Sequence, residues 1–260
     1  MSTHPALTLA LLGCIYVGSS IFSGLSGFGF AAIGSLSLLL LPPAQGVALL
    51  MALSLVTQTA SLLALRHELF SGQSRAANAR KAWPFLAGGA IGMPFGLMAL
   101  AHLKTTQLLV ALGLFLMAYA IYAFWSPRQG VLKHRIPKLW QSTGVGAIGG
   151  LIGGFSAFPG AALVVWNGLR GCGKDESRAL TQPYILFMQI IGLALLCIQR
   201  PTTFTPDFWQ TFLTAAPLAL LGNCTGVGIY KRTGDVGYRQ ITLAALGLSG
   251  LGLVVKAVLV

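Results

Sequence analysis

The chain is 260 residues long, 55% hydrophobic and only 8% charged. Soluble domains carry about 25% charged residues, so a soluble globular protein is excluded. A net charge of +12 would suit a nucleic-acid binder by amount alone. Nearly all Lys and Arg, however, sit in short connections between apolar runs, the distribution that orients membrane proteins, so no nucleic-acid partner is expected.

What remains is an all-α polytopic membrane protein, because several apolar runs of about 17–25 residues are long enough to span a bilayer. The tail Met1 to Pro5 has no Lys or Arg, so the run from position 6 reads as a retained segment and not a signal peptide. The first apolar block covers 6–41 and is broken by a glycine- and serine-rich patch at 23–29; Pro42 and Pro43 close it. A clean run follows at 44–65, then a basic connection at 66–81 with Arg66, Arg75, Arg80 and Lys81. The next runs cover 83–101 and 107–125, separated by His102 and Lys104. A second basic connection, 126–140, holds Arg128, Lys133, Arg135 and Lys138.

The order then repeats. A broken block at 143–169 leads to a connection with Arg170, Lys174 and Arg178. Runs at 180–198 and 212–229 follow, with only Arg200 among the Lys and Arg between them. A basic turn with Lys231, Arg232 and Arg239 precedes the last run, 241–255. The four cysteines, Cys14, Cys172, Cys197 and Cys224, have no CxxC spacing, so neither a metal site, a disulfide framework nor a bound cofactor is expected.

The two broken blocks share a nine-residue stretch. Gly24-Leu25-Ser26-Gly27-Phe28-Gly29-Phe30-Ala31-Ala32 returns 130 positions later as Gly154-Phe155-Ser156-Ala157-Phe158-Pro159-Gly160-Ala161-Ala162. Gly92 and Gly96 match Gly222 and Gly226 at the same offset, and Gln58 matches Gln189 one residue out. Two homologous halves, 1–127 and 128–260, are expected within one membrane domain. Eight simple spans would put the last two basic connections opposite the first two. If each broken block instead re-enters on the side it left, each half makes three crossings and the second half is inverted. The four basic connections then share the inner side, leaving only Lys104, Arg200 and Lys256 outside, which the charge bias prefers. The expected fold is therefore two inverted repeats, each a re-entrant helix hairpin plus three transmembrane helices, with both termini outside. In the second block, 143–153 and 160–169 are short enough to be half-helices.

Lipid cannot satisfy a free backbone, so a broken helix at membrane depth must face protein or a wet cavity. Paired breaks in two halves are the best sequence-level mark of a transporter's binding site. A helix start offers unsatisfied N–H groups and a partial positive charge, which suit an anion. Helices starting near Phe30 and Gly160, together with the Ser26 and Ser156 hydroxyls, form an expected anion cradle that uses no buried Lys or Arg. Its candidate residues are Gly24, Ser26, Gly27, Phe28 and Gly29 in the first break, and Ser156, Ala157, Phe158 and Gly160 in the second. Gln58 and Gln189 are candidates for the wall as amide donors, with interhelical bonding as the plainer alternative. Gln182, Tyr184 and Asn223 rank lower. Phe28 and Phe158 are collar candidates or simple packing.

These two motifs, each heading one half of an apolar 260-residue chain, resemble the sulfite exporter TauE/SafE family, also called the toluene-sulfonate uptake permease family. The resemblance implies a bacterial inner-membrane carrier of a small anionic sulfur compound: sulfite, thiosulfate, sulfoacetate or another organosulfonate. A homodimer and an enclosing lipid bilayer are the expected partners. A passive anion channel is the nearest alternative, since no Asp, Glu or His lies at midplane depth to relay a proton. The Gly24-Leu25-Ser26-Gly27 stretch also reads as a hydrolase GxSG. That chemistry needs a base beside the serine, and His4, His67, His102 and His134 all lie in the tail or connections, so no enzyme is expected.

Overall fold

A computed structural model describes residues 5–69, 74–102, 105–125 and 137–259. Expectations that fall on His4, Lys104, Arg128, Lys133, His134 and Arg135 lie outside the described residues. Among the described residues every regular element is helical. In order these are α1 (Pro5–Ser26), α2 (Phe30–Gly34), a 3-10 turn (Ser35–Leu39), α3 (Pro43–Ala64) and α4 (Arg66–Leu69). Next come α5 (Ser74–His102), α6 (Thr105–Trp125), α7 (Leu139–Ser156), α8 (Gly160–Arg170) and α9 (Lys174–Gln199). A second 3-10 turn (Pro201–Thr203), α10 (Pro206–Arg232) and α11 (Asp235–Leu259) complete the chain.

Among the described residues six stretches are long and apolar enough to cross a membrane: Thr8–Ser26, Gln45–Ala64, Lys81–Ala99, Lys174–Gln199, Pro206–Arg232 and Asp235–Val255. The protein is a multi-pass membrane protein. Helix α6 contributes the shorter apolar stretch Gly113–Trp125.

The helices run past their apolar cores. Backbone hydrogen bonding continues wherever propensity and capping allow, whereas hydropathy marks only the part in lipid. Helix α9 starts at Lys174 behind the N-cap Gly173, with Asp175 and Glu176 in its first turn against the positive helix end. Helix α10 starts behind Thr205, whose side chain accepts the Phe208 N–H, and has Pro206 in its first turn. The supposed connection at 169–178 therefore shrinks to a tight turn, and Ser177 and Arg178 are buried helical residues. Helix α7 is likewise longer than the expected eleven-residue half-helix, with 18 residues from Leu139. Helix α8, with 11 residues, does have half-span length, roughly 16 Å.

One end of the bundle gathers the basic connections. Lys81 pairs with Glu176 and Lys231 with Glu68, each at 3.0 Å. The Lys174 backbone N–H donates to Asp235 Oδ1 at 2.9 Å, and Arg239 Nη2 donates to Ala123 O at the end of α6 at 2.6 Å. The hairpin α7–α8 begins and finishes at this charged end: Gly146 of α7 packs on the Phe85 backbone of α5, and Gly168 of α8 packs on the Tyr119 hydroxyl of α6. The hairpin α1–α2 begins at the opposite end. Helix α1 runs parallel to α10, with Gly13 beside Leu218 and Gly24 beside Asn223. It also finishes there, because α3 departs from that end and brings Ala64 O to Lys231 Nζ at the charged one.

Between the halves, close contacts exchange partners at the 130-residue offset. Gly222 of α10 packs on the Val17 carbonyl of α1, and Gly92 of α5 packs on the Ala147 carbonyl of α7. Gly226 meets Ile21 O while Gly96 meets Leu151 O, and Gly24 lies against Gly226 as Gly154 lies against Gly96. In each case a side chain would collide with backbone, so only glycine permits the approach.

Candidate functional site

The first break begins where α1 ends. Gly27 (φ 82) and Gly29 (φ 85) occupy the left-handed region that glycine alone enters without steric cost. The Gly27 N–H closes the last turn on Ser23 O at 2.7 Å. In the second break Ala157 (φ 59) holds the position equivalent to Gly27, and its N–H bonds Gly153 O at 2.8 Å. It is the one non-glycine residue with positive φ among those described. A left-handed alanine costs roughly 1–2 kcal/mol, which surrounding structure must impose. Proline cannot adopt positive φ, so Pro159 stands at φ −67 where the first copy has Gly29.

Helices resume at Phe30 and Gly160, where the sequence pattern places them, and neither start has a side-chain cap from its N-cap residue. Helix α2 lasts only five residues before tightening into the 3-10 turn, whereas α8 continues for 11.

The breaks meet through their phenyl rings. Phe28 and Phe158, equivalent in the two copies, stack with centroids 6.2 Å apart and ring planes 12° apart. Both are almost wholly buried. Gly160 has no room for a side chain: a Cβ there would lie 2.7 Å from Ile185 Cδ1 and 3.5 Å from Phe28 Cβ.

The two glutamines clamp the breaks in the same way. Gln58 Nε2 donates to Gly27 O at 3.2 Å, and Gln189 Nε2 donates to Ala157 O at 3.3 Å. Each therefore holds the carbonyl of the left-handed residue. Ser23 and Ser54 are their second acceptors, and Gln182 Nε2 donates to Gln58 Oε1 at 3.0 Å. Asn223 Oδ1 accepts from Ser61, and Tyr184 donates to Gly146 O at 2.6 Å.

The serine hydroxyls turn into their own helices. Ser26 Oγ lies 2.8 Å from Phe22 O and 2.7 Å from Phe28 O, and accepts the Phe28 N–H at 3.4 Å. Ser156 Oγ donates to Ile152 O at 2.7 Å. Both are buried, and both stitch the last turn before the break.

A buried cation stands at the first break, which corrects the expectation of a cradle without one. Arg178 of α9 is 1% exposed and is the one charged side chain buried among the described residues. Its guanidinium donates to Gly24 O at 2.7 Å and Leu25 O at 3.3 Å, and lies 4.1 Å over the Tyr230 ring. The partial negative charge at the end of α1 and the ring face both favour it. Tyr238 of α11 adds a hydrogen bond to Ser26 O at 2.9 Å. Sequence reading assigned Arg178 to a solvated loop. The missed signal was the acidic pair after Gly173, which starts the helix early and carries Arg178 a full turn into the protein.

Cys172, between α8 and α9, is half-buried, and burial, with Glu176 beside it, pushes its thiol up to about 11. It is therefore a poor nucleophile at neutral pH. Among the described residues no cluster of three His, Cys, Asp or Glu side chains is arranged to hold a metal.

Comparison with curated proteins and with solved structures finds no match. The family described as sulfite exporter TauE/SafE matches residues 10–253, nearly the whole chain. With a bundle of membrane-length helices around two paired breaks, the chain belongs to the TauE/SafE sulfite exporter family, a family of membrane transporters for sulfur anions.

Proposed function

We propose that this protein carries a small sulfur oxyanion or organosulfonate across a bacterial inner membrane, holding it between the two glycine-rich breaks. One observation carries the reading: equivalent residues of the two halves converge on one centre, with Phe28 stacked on Phe158 and Gln58 and Gln189 clamping equivalent carbonyls. Helix starts that flank the stacked rings suit an anion. The stacked rings close the centre, so passage requires them to part. Gly24, Ser26, Gly27, Phe28 and Gly29 then line one wall, and Ser156, Ala157, Phe158 and Gly160 the other, with backbone N–H groups and hydroxyls as donors. Arg178 supplies the positive charge from behind the first break.

The halves are read as inverted repeats. One hairpin starts and finishes at the charged end and the other at the opposite end, which supports re-entry from opposite sides. Placing the charged end in the cytoplasm satisfies the charge bias and puts both termini in the periplasm.

The test is flux in proteoliposomes against sulfite, thiosulfate, sulfoacetate and longer sulfonates, with an organic cation as control. Orientation is fixed in the same vesicles by a Gly234→Cys variant in a cysteine-free background, since Gly234 is exposed in the turn before α11. Saturable sulfur-anion flux is expected, with Gly234→Cys labelled only from the cytoplasmic face. Cation flux at matching rates would overturn the anion reading, and periplasmic labelling would overturn the topology.

A further inference from the structure

A cavity of about 390 Å³ opens away from the paired breaks, at the charged end, between the end of α6, the end of α8 and the starts of α9 and α11. Its wall is mixed. Lys174 and Arg239 bring two positive charges and Asp235 one negative; Val164, Leu243 and Leu246 supply an apolar side. Two positive charges against one leave the wall net cationic, with Lys174 Nζ donating to Thr233 O at 2.8 Å. Thr242 Oγ1 is buried in the wall beside the Tyr238 hydroxyl. The cavity also touches the machinery of both breaks. Tyr238, which lines it, donates to Ser26 O in the first, and Val164 lies about one helical turn from the Gly160 start of the second.

We propose that this cavity is a second anion station at the charged end, taking the oxyanion head of a small organic anion on Arg239, Lys174 and Thr242 and its short tail against Val164, Leu243 and Leu246. It rests on the transport reading for its role as the vestibule to the paired breaks, but not for its existence. A bare inorganic oxyanion leaves the apolar wall unused. An amphiphilic one covers it, and each methylene buried there tightens binding about fourfold. Short alkyl sulfonates therefore bind here more tightly than sulfite.

The experiment uses the full chain in zwitterionic nanodiscs with trifluoromethanesulfonate as a ¹⁹F probe, displaced by propanesulfonate or by sulfite. Expected are probe line broadening, more effective displacement by propanesulfonate, and at least tenfold weaker binding in Arg239→Gln, with Arg239→Lys keeping most of the affinity. Thr242→Leu, which fills the cavity without changing its charge, should weaken binding equally. Lys81→Gln, a charge loss at the same end but outside the cavity, should bind as wild type. Arg239 also bonds Ala123 O, so monodisperse elution of each variant accompanies every measurement. Binding unchanged in both Arg239→Gln and Thr242→Leu overturns the proposal, as does equal loss in Lys81→Gln, which would mark diffuse surface charge. Loss of probe binding in nanodiscs containing anionic lipid would assign the cavity to a lipid headgroup and overturn the solute reading. Wild-type probe binding without sulfur-anion flux sinks the transport reading alone; flux without binding in the cavity sinks this one alone.

Discussion

The two breaks share a sequence pattern and a backbone path, yet they are held in different ways. The first has two left-handed glycines, continues into five residues of α-helix and a 3-10 turn, and beyond its own clamp by Gln58 is fastened by Arg178 of α9 and Tyr238 of α11. The second has a left-handed alanine and a proline, continues into a proper 11-residue helix, and is fastened chiefly by its own half, through Gln189. The comparison separates two jobs. The second break, stiffened by Pro159 and backed by a longer helix, offers the firmer positive helix end. The first, rich in glycine, depends on Arg178 and Tyr238 for its position.

The largest effect that tests this division is expected from filling the centre. Gly160→Val drives a branched side chain into Ile185 and Phe28 and should abolish flux while the protein still inserts, with overpacking costing about 1–3 kcal/mol. Protein level and flux measured together separate a blocked site from a lost fold. Wild-type flux in Gly160→Val would remove the second break from the pathway.

Next in size is the borrowed cation. Arg178→Gln leaves the Gly24 and Leu25 carbonyls without their charged donor, a loss of about 1.5–3 kcal/mol. Thermal unfolding should fall, and cysteine probes on the first break should become more accessible while probes on the second do not. Equal loosening of both breaks would erase the distinction.

The serines come third. Each hydroxyl already stitches its own helix end, so Ser26→Ala, with one donated and one accepted bond at stake, should exceed Ser156→Ala, with one donated bond. A roughly tenfold loss of substrate affinity, about 1.4 kcal/mol, is expected for Ser26→Ala and a few-fold loss for Ser156→Ala. If both touch one ligand, the double variant departs from additivity. Normal affinity in both single variants would take the hydroxyls out of the site.

The smallest and most pointed effect is a swap. Ala157→Gly relieves left-handed strain and should stabilise by up to about 1 kcal/mol, whereas Gly27→Ala should destabilise by a similar amount. Stability measured by denaturation checks the pair. Two shifts of the same sign would mean that backbone conformation is not what distinguishes the breaks.

Much of this was legible in the sequence because small residues punctuate so clearly. The helix restarts at Phe30 and Gly160 and the matching bonds of Gln58 and Gln189 follow from positions that admit little else. Helix ends were less legible. Hydropathy reports the lipid-facing stretch, and Leu139, Ser74 and Lys174 begin helices well before it. Arg178 and Tyr238 were hidden for another reason. Each acts on a carbonyl more than 150 residues away, and no local pattern encodes an acceptor at that distance. The stacking of Phe28 on Phe158 depends on the same long-range closure.

The exchange of partners between the halves carries a consequence for biosynthesis. Helix α1 leaves the ribosome first, but the glycine surface it needs lies on α10, which starts some 180 residues later. Until α10 is made, the backbone at Val17 and Ile21 lacks the packing that Gly222 and Gly226 provide. The first half accordingly waits in the bilayer as an unfinished insert, and late closure of such distant contacts is slow. A chain cut in the 126–136 connection should yield two fragments that are unstable alone but reassemble when made together, because each holds the glycine surface on which the other's α1 or α7 packs.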